Sequence, residues 1–398
     1  MNNKKNILEV DFSSIKRVLL RVDFNIPLDI SDGKISDDSR ILASIPTIKY
    51  LLQQSCAILI CSHFGRPNGS YVEEFKLDII SSKLSELLGQ DVTQLDDCIG
   101  IDVEEFSKKM QPGEIAVLQN LRFHSGEEEN ESKFAEDLSK LADLYVNDAF
   151  GVAHRNHASM DKISNFIPMV AGLLLKKEID IFSSILQNPE RPLLSVFGGA
   201  KVSDKLRVIE NLSSVVDVMI IGGAMSAPFL ILEGLEIGDS LVEQGAVESV
   251  EKIMESIPEN SCEIILPDDF IVSDSFSENS NIQIVDKNCI PSGWRIMDIG
   301  PKSVKKFIEK FHLSKTLIWN GPMGVFEWQK FSSGTKLLAQ AMTSLNECIS
   351  IVGGGSTVEA ISFFGLSDQI SHISTGGGAS ISFLEGSTLP GIKSLLDN

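Results

Sequence analysis

Cationic side chains recur in this sequence just beyond short apolar runs. They fall in Arg21-Val22-Asp23-Phe24-Asn25, Ser62-His63-Phe64-Gly65-Arg66-Pro67 and Asn120-Leu121-Arg122-Phe123-His124, and in Asn147-Asp148-Ala149-Phe150-Gly151 followed by His154-Arg155. Arg40 opens the helical pattern after the first run. These residue types suit the grip of an anion, because a guanidinium presents a planar fork of N–H donors to phosphate or carboxylate oxygens. One arginine at such a position is more often a solvated surface residue. Taken alone, His63 reads as a turn histidine and Asp23 as a structural partner of Arg21. Four or five cations at equivalent strand ends argue together for one anion site.

Glycine takes the same place in the second half of the chain: Gly198-Gly199-Ala200-Lys201, Gly222-Gly223, Asn320-Gly321-Pro322-Met323-Gly324, Gly353-Gly354-Gly355 and Thr375-Gly376-Gly377-Gly378-Ala379-Ser380. A backbone without Cβ can approach phosphate oxygens, and a following helix adds its positive N-terminal end. Each pair alone could equally be a tight turn; five in one half favour a nucleotide. Lys201 and Lys205, four apart, are expected on one face of a helix that Ser203 helps to start. Neither a Gly-x-x-x-x-Gly-Lys-Ser/Thr loop nor a Gly-x-Gly-x-x-Gly fingerprint is present, which argues against both familiar nucleotide folds.

The elements that must position these residues are visible as apolar, β-rich runs: Val18 to Val22, Ala57 to Cys61, Ile115 to Leu118, Leu144 to Val146, Leu193 to Phe197, Val218 to Ile221, Glu263 to Leu266, Thr316 to Trp319, Ile349 to Val352 and Ile370 to Ile373. Such runs predict parallel strands buried on both faces. Helical spacing between them, as in Ile41, Ile45, Ile48 and Leu52 or in Phe134, Leu138 and Leu141, predicts α/β architecture. A helix is expected after Gly355, from Ser356 to Phe364. Pro46 lies inside the first helical pattern and costs about 3 kcal/mol unless the helix starts late or bends there. Leu173 to Pro192 separates two groups of strands and is expected to be a connecting helix.

A chain of 398 residues exceeds the roughly 250–300 residues at which single cores stop growing, so two domains are expected. With 55 acidic against 35 basic residues, the formal charge of −20 repels nucleic acid and anionic membranes over most of the surface, so an anionic substrate needs a locally basic pocket. The six cysteines form no Cys-x-x-Cys pair and fit a reducing compartment. The start, Met1 to Asn6, lacks a signal-peptide core, and no apolar run approaches the roughly 20 residues of a membrane helix. A cytoplasmic protein without nucleic-acid or membrane partners is expected.

Seven segments, Arg21 to Pro27, Ser62 to Pro67, Asn120 to His124, Val146 to Phe150 with Ala153 to Arg155, Gly198 to Lys205, Trp319 to Phe326 and Ser374 to Ser380, resemble the signature segments of the phosphoglycerate kinase family, in order and over nearly the whole chain. The resemblance implies two Rossmann-like three-layer α/β/α domains with parallel sheets, joined by a hinge helix. They would comprise residues 1–172 binding 3-phosphoglycerate, 173–192 as hinge, 193–381 binding nucleotide, and 382–398 returning to the first domain. It further implies a glycolytic and gluconeogenic enzyme, a monomer, that transfers a phosphoryl group between 1,3-bisphosphoglycerate and ADP, with Mg2+ accompanying ATP or ADP.

Carried over by position, Asp23, Phe24, Asn25, Arg40, His63, Phe64, Gly65, Arg66, Arg122 and Arg155 resemble the phosphoglycerate site. Gly199, Lys201, Lys205, Gly222, Gly223, Asn320, Pro322, Gly324, Val325, Glu327, Gly354, Gly355, Ser356 and Thr357 resemble the nucleotide site. Arg40 and Lys201 are expected to clamp the phosphoryl group in transit after domain closure, with Thr375, Gly376 and Gly377 beside it. Three departures stand out: Ser356 where the family usually has an aspartate that helps to hold magnesium, Gln119 for a glutamate, and Ala224 for a third glycine. The first leaves the metal ligands unknown. Two competing readings are a binding scaffold that has lost turnover with its magnesium, and a dinucleotide-dependent dehydrogenase, which the missing fingerprint disfavours.

Overall fold

The computed structural model describes residues 4–29, 33–257 and 262–398; the first three residues of the N-terminal stretch lie outside these. The chain folds into two compact units, one of residues 1–183 with 388–398 and one of residues 184–387.

The first unit is built on β1 (Arg17–Arg21), β2 (Ala57–Cys61), β3 (Val92–Gln94), β4 (Ile115–Val117), β5 (Leu144–Asn147) and β6 (Met169–Ala171). These strands pair in the order β3-β4-β2-β1-β5-β6, all parallel. Helices cover both faces, which is why β2 and β5 are buried at every position and read as unbroken apolar runs. The helix Ser39–Gln53 runs through Pro46 rather than starting after it. Pro46 is exposed, and burial of Ile41, Ile48 and Leu51, at roughly 1.5–3 kcal/mol each, offsets the lost bond. The C-terminal residues join this unit through Lys5 N–H to Leu396 O (2.8 Å), Leu396 N–H to Met169 O (2.9 Å) and Asn147 Nδ2 to Gly391 O (3.0 Å).

The second unit contains β7 (Leu193–Phe197), β8 (Val218–Ile221), β9 (Glu263–Ile265), β10 (Asp269–Ser273), β11 (Ile282–Asp286), β12 (Arg295–Ile299), β13 (Thr316–Asn320), β14 (Ile349–Gly353) and β15 (His372–Ile373). Six of them form a parallel sheet in the order β15-β14-β13-β7-β8-β9. The other three make an antiparallel sheet, β11-β10-β12, that sequence periodicity did not foretell. β11 is largely exposed, with Ile282 and Ile284 outside, so its pattern does not alternate as a half-buried strand would. The three-residue β3 and β6 are likewise too short to carry a periodic signal. The helix Leu173–Gln187 occupies most of the expected connecting segment, with Leu175, Ile179, Phe182 and Ile185 buried along one stripe. No helix among the described residues is long and apolar enough to cross a membrane.

Candidate functional site

In the first sheet the chain leaves β1 toward β2 on one side and later adds β5 on the other. The crevice at the carboxyl ends of these strands is the topological switch point where α/β sheets bind ligands. Here the segments after β1, β2, β4 and β5 deliver their cations. Arg40 is held by Nη1–H bonds to Asp23 Oδ2 (2.8 Å) and Asn25 O (3.1 Å), so Asp23 pairs with Arg40 rather than with Arg21. Asn25 Oδ1 accepts Gly65 N–H at 2.9 Å, and Gly65 O accepts Arg122 Nη1–H at 2.8 Å. Gly65 has φ of +62°, and any Cβ there would overlap the Phe75 ring, so the turn requires glycine.

Phe24 and Phe64 place their rings in the hydrophobic core and spend their N–H groups on Ser62 Oγ and Asn120 Oδ1, so they shape the loops. Arg66 is exposed, whereas Arg122 is 2% exposed. Gln119 Oε1 accepts both Leu77 N–H and Asn120 N–H, the work that a carboxylate oxygen would do there.

Arg122 Nη2, Arg155 Nε and His154 Nδ1 are buried and have no hydrogen-bond partner. Arg122 Nε lies 3.2 Å from Glu128 Oε1, close enough for an ion pair but misdirected for a hydrogen bond. Buried donors left without acceptors are costly unless a ligand supplies them. Burial and the guanidinium groups of Arg21, Arg122 and Arg155 hold His63 well below the usual histidine range. Burial and the same three arginines push His157 down to about 3, and burial with Arg155 lowers His154. The cluster therefore concentrates positive charge in a buried crevice. His157 was not among the expected site residues, and Arg21, read as one of the strand-end cations, lies buried within the cluster; the signal for His157 was its spacing of three from His154 in His154-Arg155-Asn156-His157.

In the second sheet the switch point falls between β7 and β13, and the glycine loops meet there. Gly199 N–H donates to Pro322 O at 2.8 Å, Gly222 N–H to Phe197 O at 2.7 Å, and Gly321 N–H to Thr357 Oγ1 at 2.6 Å. Gly223, with φ of +62°, would bring a Cβ to 3.0 Å from Gly199 N and Pro322 O. Gly354 has φ of +88°, and a Cβ there would stand 2.9 Å from Asn320 Nδ2. The helix Gly355–Phe363 follows, with Gly355 and Ser356 exposed at its start. Val325 N–H bonds Met297 O, Gly324 packs on Asp298, and Glu327 is exposed. Gly376 N–H donates to Ser374 Oγ at 3.1 Å, Gly377 has φ of +49°, and Thr375 is half-buried beside them.

Lys201 and Lys205 do not share a helix face. Lys201 lies in an exposed loop, Ser203–Lys205 forms a single 3-10 turn, and the α-helix begins only at Leu206. Ser203 does not cap it, because its hydroxyl donates to Glu243 Oε1 at 2.9 Å. Lys205 turns inward, donating to Gly198 O (2.6 Å) and Asn320 O (2.9 Å), and burial lowers its pKa to about 8. Lys205 thus ties β7 to β13, while Lys201 is the exposed cation.

For a cation, the loop Gly353 to Thr357 offers the Ser356 hydroxyl at its exposed position and no carboxylate of its own. Among the described residues, one group of His, Cys, Asp or Glu brings three potential ligand atoms together, Asp97, Cys98 and His124 of the first unit. That group is already satisfied: His124 Nε2 meets Asp97 Oδ1 at 2.6 Å, and burial, with Asp97 beside it, raises the Cys98 thiol well above its ordinary value. The loop Gly353 to Thr357 therefore offers no charged ligand to a magnesium ion.

Residues 7–387 match the family model described as phosphoglycerate kinase. The chain is 45% identical to a phosphoglycerate kinase of Chloroflexus aurantiacus over 399 aligned positions, covering 99% of both chains. It is 46% identical to one of Gloeothece citriformis, covering 98% of this chain and 99% of that one. The structure of phosphoglycerate kinase from Coxiella burnetii superposes with a TM-score of 0.88 at 37% identity, and the one from Pyrococcus horikoshii with 0.84 at 34%. Each superposition covers 98% of both chains.

Proposed function

The chain belongs to the phosphoglycerate kinase family, and from that premise we propose how its two sites carry out the reaction. The reaction is reversible phosphoryl transfer between 1,3-bisphosphoglycerate and ADP, giving 3-phosphoglycerate and ATP, and the enzyme is a phosphotransferase with a carboxyl acceptor. The observation that carries the site reading is the cluster of buried guanidinium donors without acceptors at the first switch point. In this reading His63, Arg66, Arg122 and Arg155 hold the anionic ends of 3-phosphoglycerate, and Asp23 and Asn25 belong to the same site. The glycine loops after β7, β8, β13 and β14 hold the nucleotide, and Asn320, Glu327 and Thr357 shape its pocket.

The acceptor is a carboxylate, whose unperturbed pKa of about 4 means that no general base is needed near neutrality. Catalysis then rests on alignment and on neutralising the transferring oxygens. Arg40 and Lys201 supply those charges, and the loop Thr375 to Gly377 lies beside the phosphoryl group. The enzyme works as a cytoplasmic monomer. Magnesium, where bound, neutralises nucleotide charge; every other step belongs to the chain's own cations.

The deciding experiment is ATP-dependent phosphorylation of 3-phosphoglycerate, coupled to reductant consumption, across a magnesium titration for wild type and Ser356→Asp. Expected are wild-type turnover and a lower magnesium requirement in Ser356→Asp, since a carboxylate holds the ion more tightly than a hydroxyl. Turnover only in Ser356→Asp would mean a scaffold that lost its metal. None in either would sink the assignment.

The depressed histidines give a pH signature. The folded pKa of His157, about 3, lies below its ordinary 6.5, so between those values the unfolded chain binds more protons. Stability of the free protein accordingly falls as pH drops from 6.5 toward 3. An anion relieves the guanidinium repulsion and raises the histidine pKa. Titration of 3-phosphoglycerate at about pH 5.5, in two buffers of different ionisation enthalpy, is expected to show proton uptake that vanishes by about pH 8. Buffer-independent heats at the lower pH would contradict the placement of the anion.

A further inference from the structure

Beneath the cations lies a buried acid with no role in what precedes. Glu127, in the short helix Ser125–Glu128 just after Arg122, has no solvent exposure. Both its oxygens are taken by donors of one residue: Oε2 accepts the Ser159 backbone N–H at 3.0 Å, and Oε1 accepts the Ser159 hydroxyl at 2.6 Å. With its proton committed to Glu127, Ser159 Oγ has only lone pairs left, and one accepts Arg21 Nε–H at 3.1 Å. Arg21, 1% exposed, also donates Nη1–H to Val22 O and Nη2–H to His63 Nδ1, the latter at 3.3 Å. A guanidinium can only donate, so His63 Nδ1 is the acceptor and the ring proton sits on Nε2. Asp23 Oδ1, at 3.9 Å from Nδ1, is too distant to compete.

We propose that Glu127 is a positioning residue of the phosphoglycerate site: through Ser159 it orients Arg21, and through Arg21 it holds His63 in the tautomer that donates Nε2–H to a substrate oxyanion. This rests on the reading of the basic cluster as that site. The relay diverges from Arg21, which donates to His63 Nδ1 on one side and to Ser159 Oγ on the other, and Ser159 in turn donates to a carboxylate that only accepts. An amide could not replace Glu127, because both groups facing it from Ser159 are donors and an amide accepts through one oxygen alone. The charged groups around Glu127 are Arg21 and Arg122, and the neutral imidazole of His157 faces it with Nδ1 at 3.8 Å. Cys61, Cys98 and Tyr145 nearby are kept neutral by burial. Tyr145 Oη–H donates to Ser159 O at 2.7 Å, which fixes the serine backbone independently of the relay.

Two variants test the link. Glu127→Gln keeps volume and sets an amide N–H against one Ser159 donor; Ser159→Ala keeps the carboxylate, the backbone bond and the Tyr145 bond, and deletes only the hydroxyl. Each is expected to raise the KM for 3-phosphoglycerate roughly tenfold, with the nucleotide KM unchanged and kcat less affected. The double variant should match the single ones, since both cut one chain. In the free protein the nitrogen resonances of His63 should move from a single Nε2–H tautomer toward a mixture. Should Glu127→Gln not fold, Ser159→Ala decides. A folded Ser159→Ala with wild-type KM and unchanged His63 resonances overturns the relay. Arg122→Ala separates this from the site reading: if it too leaves the KM unchanged, the substrate assignment fails, while the His63 resonances still report on the relay alone.

Discussion

Alanine at Lys201 or at Arg40 is expected to lower kcat by about two to three orders of magnitude while changing either KM by less than about fivefold. Two unit charges 4 Å apart interact by about 4 kcal/mol at an effective dielectric near 20, or about three orders in rate, and partial solvent screening reduces this. The two residues start from different conditions. Arg40 is pre-set by Asp23 and Asn25, at 2.8 and 3.1 Å, with its side chain one-third exposed. Lys201 stands in an exposed loop where its charge is felt by Glu243. Lys201 can therefore be removed without leaving a buried partner unpaired and that variant should keep its melting temperature, whereas Arg40→Ala leaves the Asp23 carboxylate, 12% exposed, without its cation and should lower it. Steady-state kinetics in both substrates checks this; a large rise in KM with kcat intact would move either residue from the transferring group to ground-state binding.

Gly321→Ala is expected to abolish measurable nucleotide binding and to destabilise the protein by several kcal/mol. Gly321 has φ of +104°, a conformation that side-chain-bearing residues rarely adopt. Its new Cβ would overlap the Gly198 carbonyl and stand 2.5 Å from Lys205 Nζ. The same residue donates its N–H to Thr357 Oγ1 at 2.6 Å and accepts Trp319 Nε1–H at 2.7 Å, so a shift to relieve the overlap breaks bonds on both sides. The loss would spread to the Lys205 bonds that join β7 to β13. Thermal unfolding and ADP calorimetry measure the two effects. Wild-type values in both would show that the loop crossing is not as tight as its geometry requires. Gly355→Ala is the control for the unfolding measurement alone, because nothing lies within 4 Å of a Cβ there.

Much of the site was legible because its residues are local signals. Arg21, Arg122 and Arg155 follow buried strands, and strand ends can be read from apolar runs of β-rich residues such as Ala57 to Cys61. The glycine loops were legible for the same reason, since each interrupts the chain directly after a strand. Lys201 and Lys205 show the limit of such reading. Their spacing of four fits a helix face, but Gly199 at φ of +97° and the Ser203 to Glu243 bond hold the segment out of the α-helix, and one lysine points inward while the other faces solvent. Glu127 and Ser159 were invisible, being short polar residues far apart in sequence whose pairing depends on where two loops are set down.

What the sequence by itself determined is the kind of each element and the chemistry it carries: parallel buried strands, cations after the first group and glycines after the second, and family membership through seven ordered segments. Those follow from local pattern, because side-chain type and spacing act on the chain's near neighbours. Only the tertiary structure decided which cations converge, which are buried, and which state each assumes. A strand order of β3-β4-β2-β1-β5-β6 puts the ends of β1, β2, β4 and β5 around one crevice. Convergence there makes three arginines depress two histidines and leaves buried donors without acceptors. Field strength and desolvation depend on distances through space, and residues as far apart in the chain as Arg21 and Ser159 acquire those distances only when the sheet has formed.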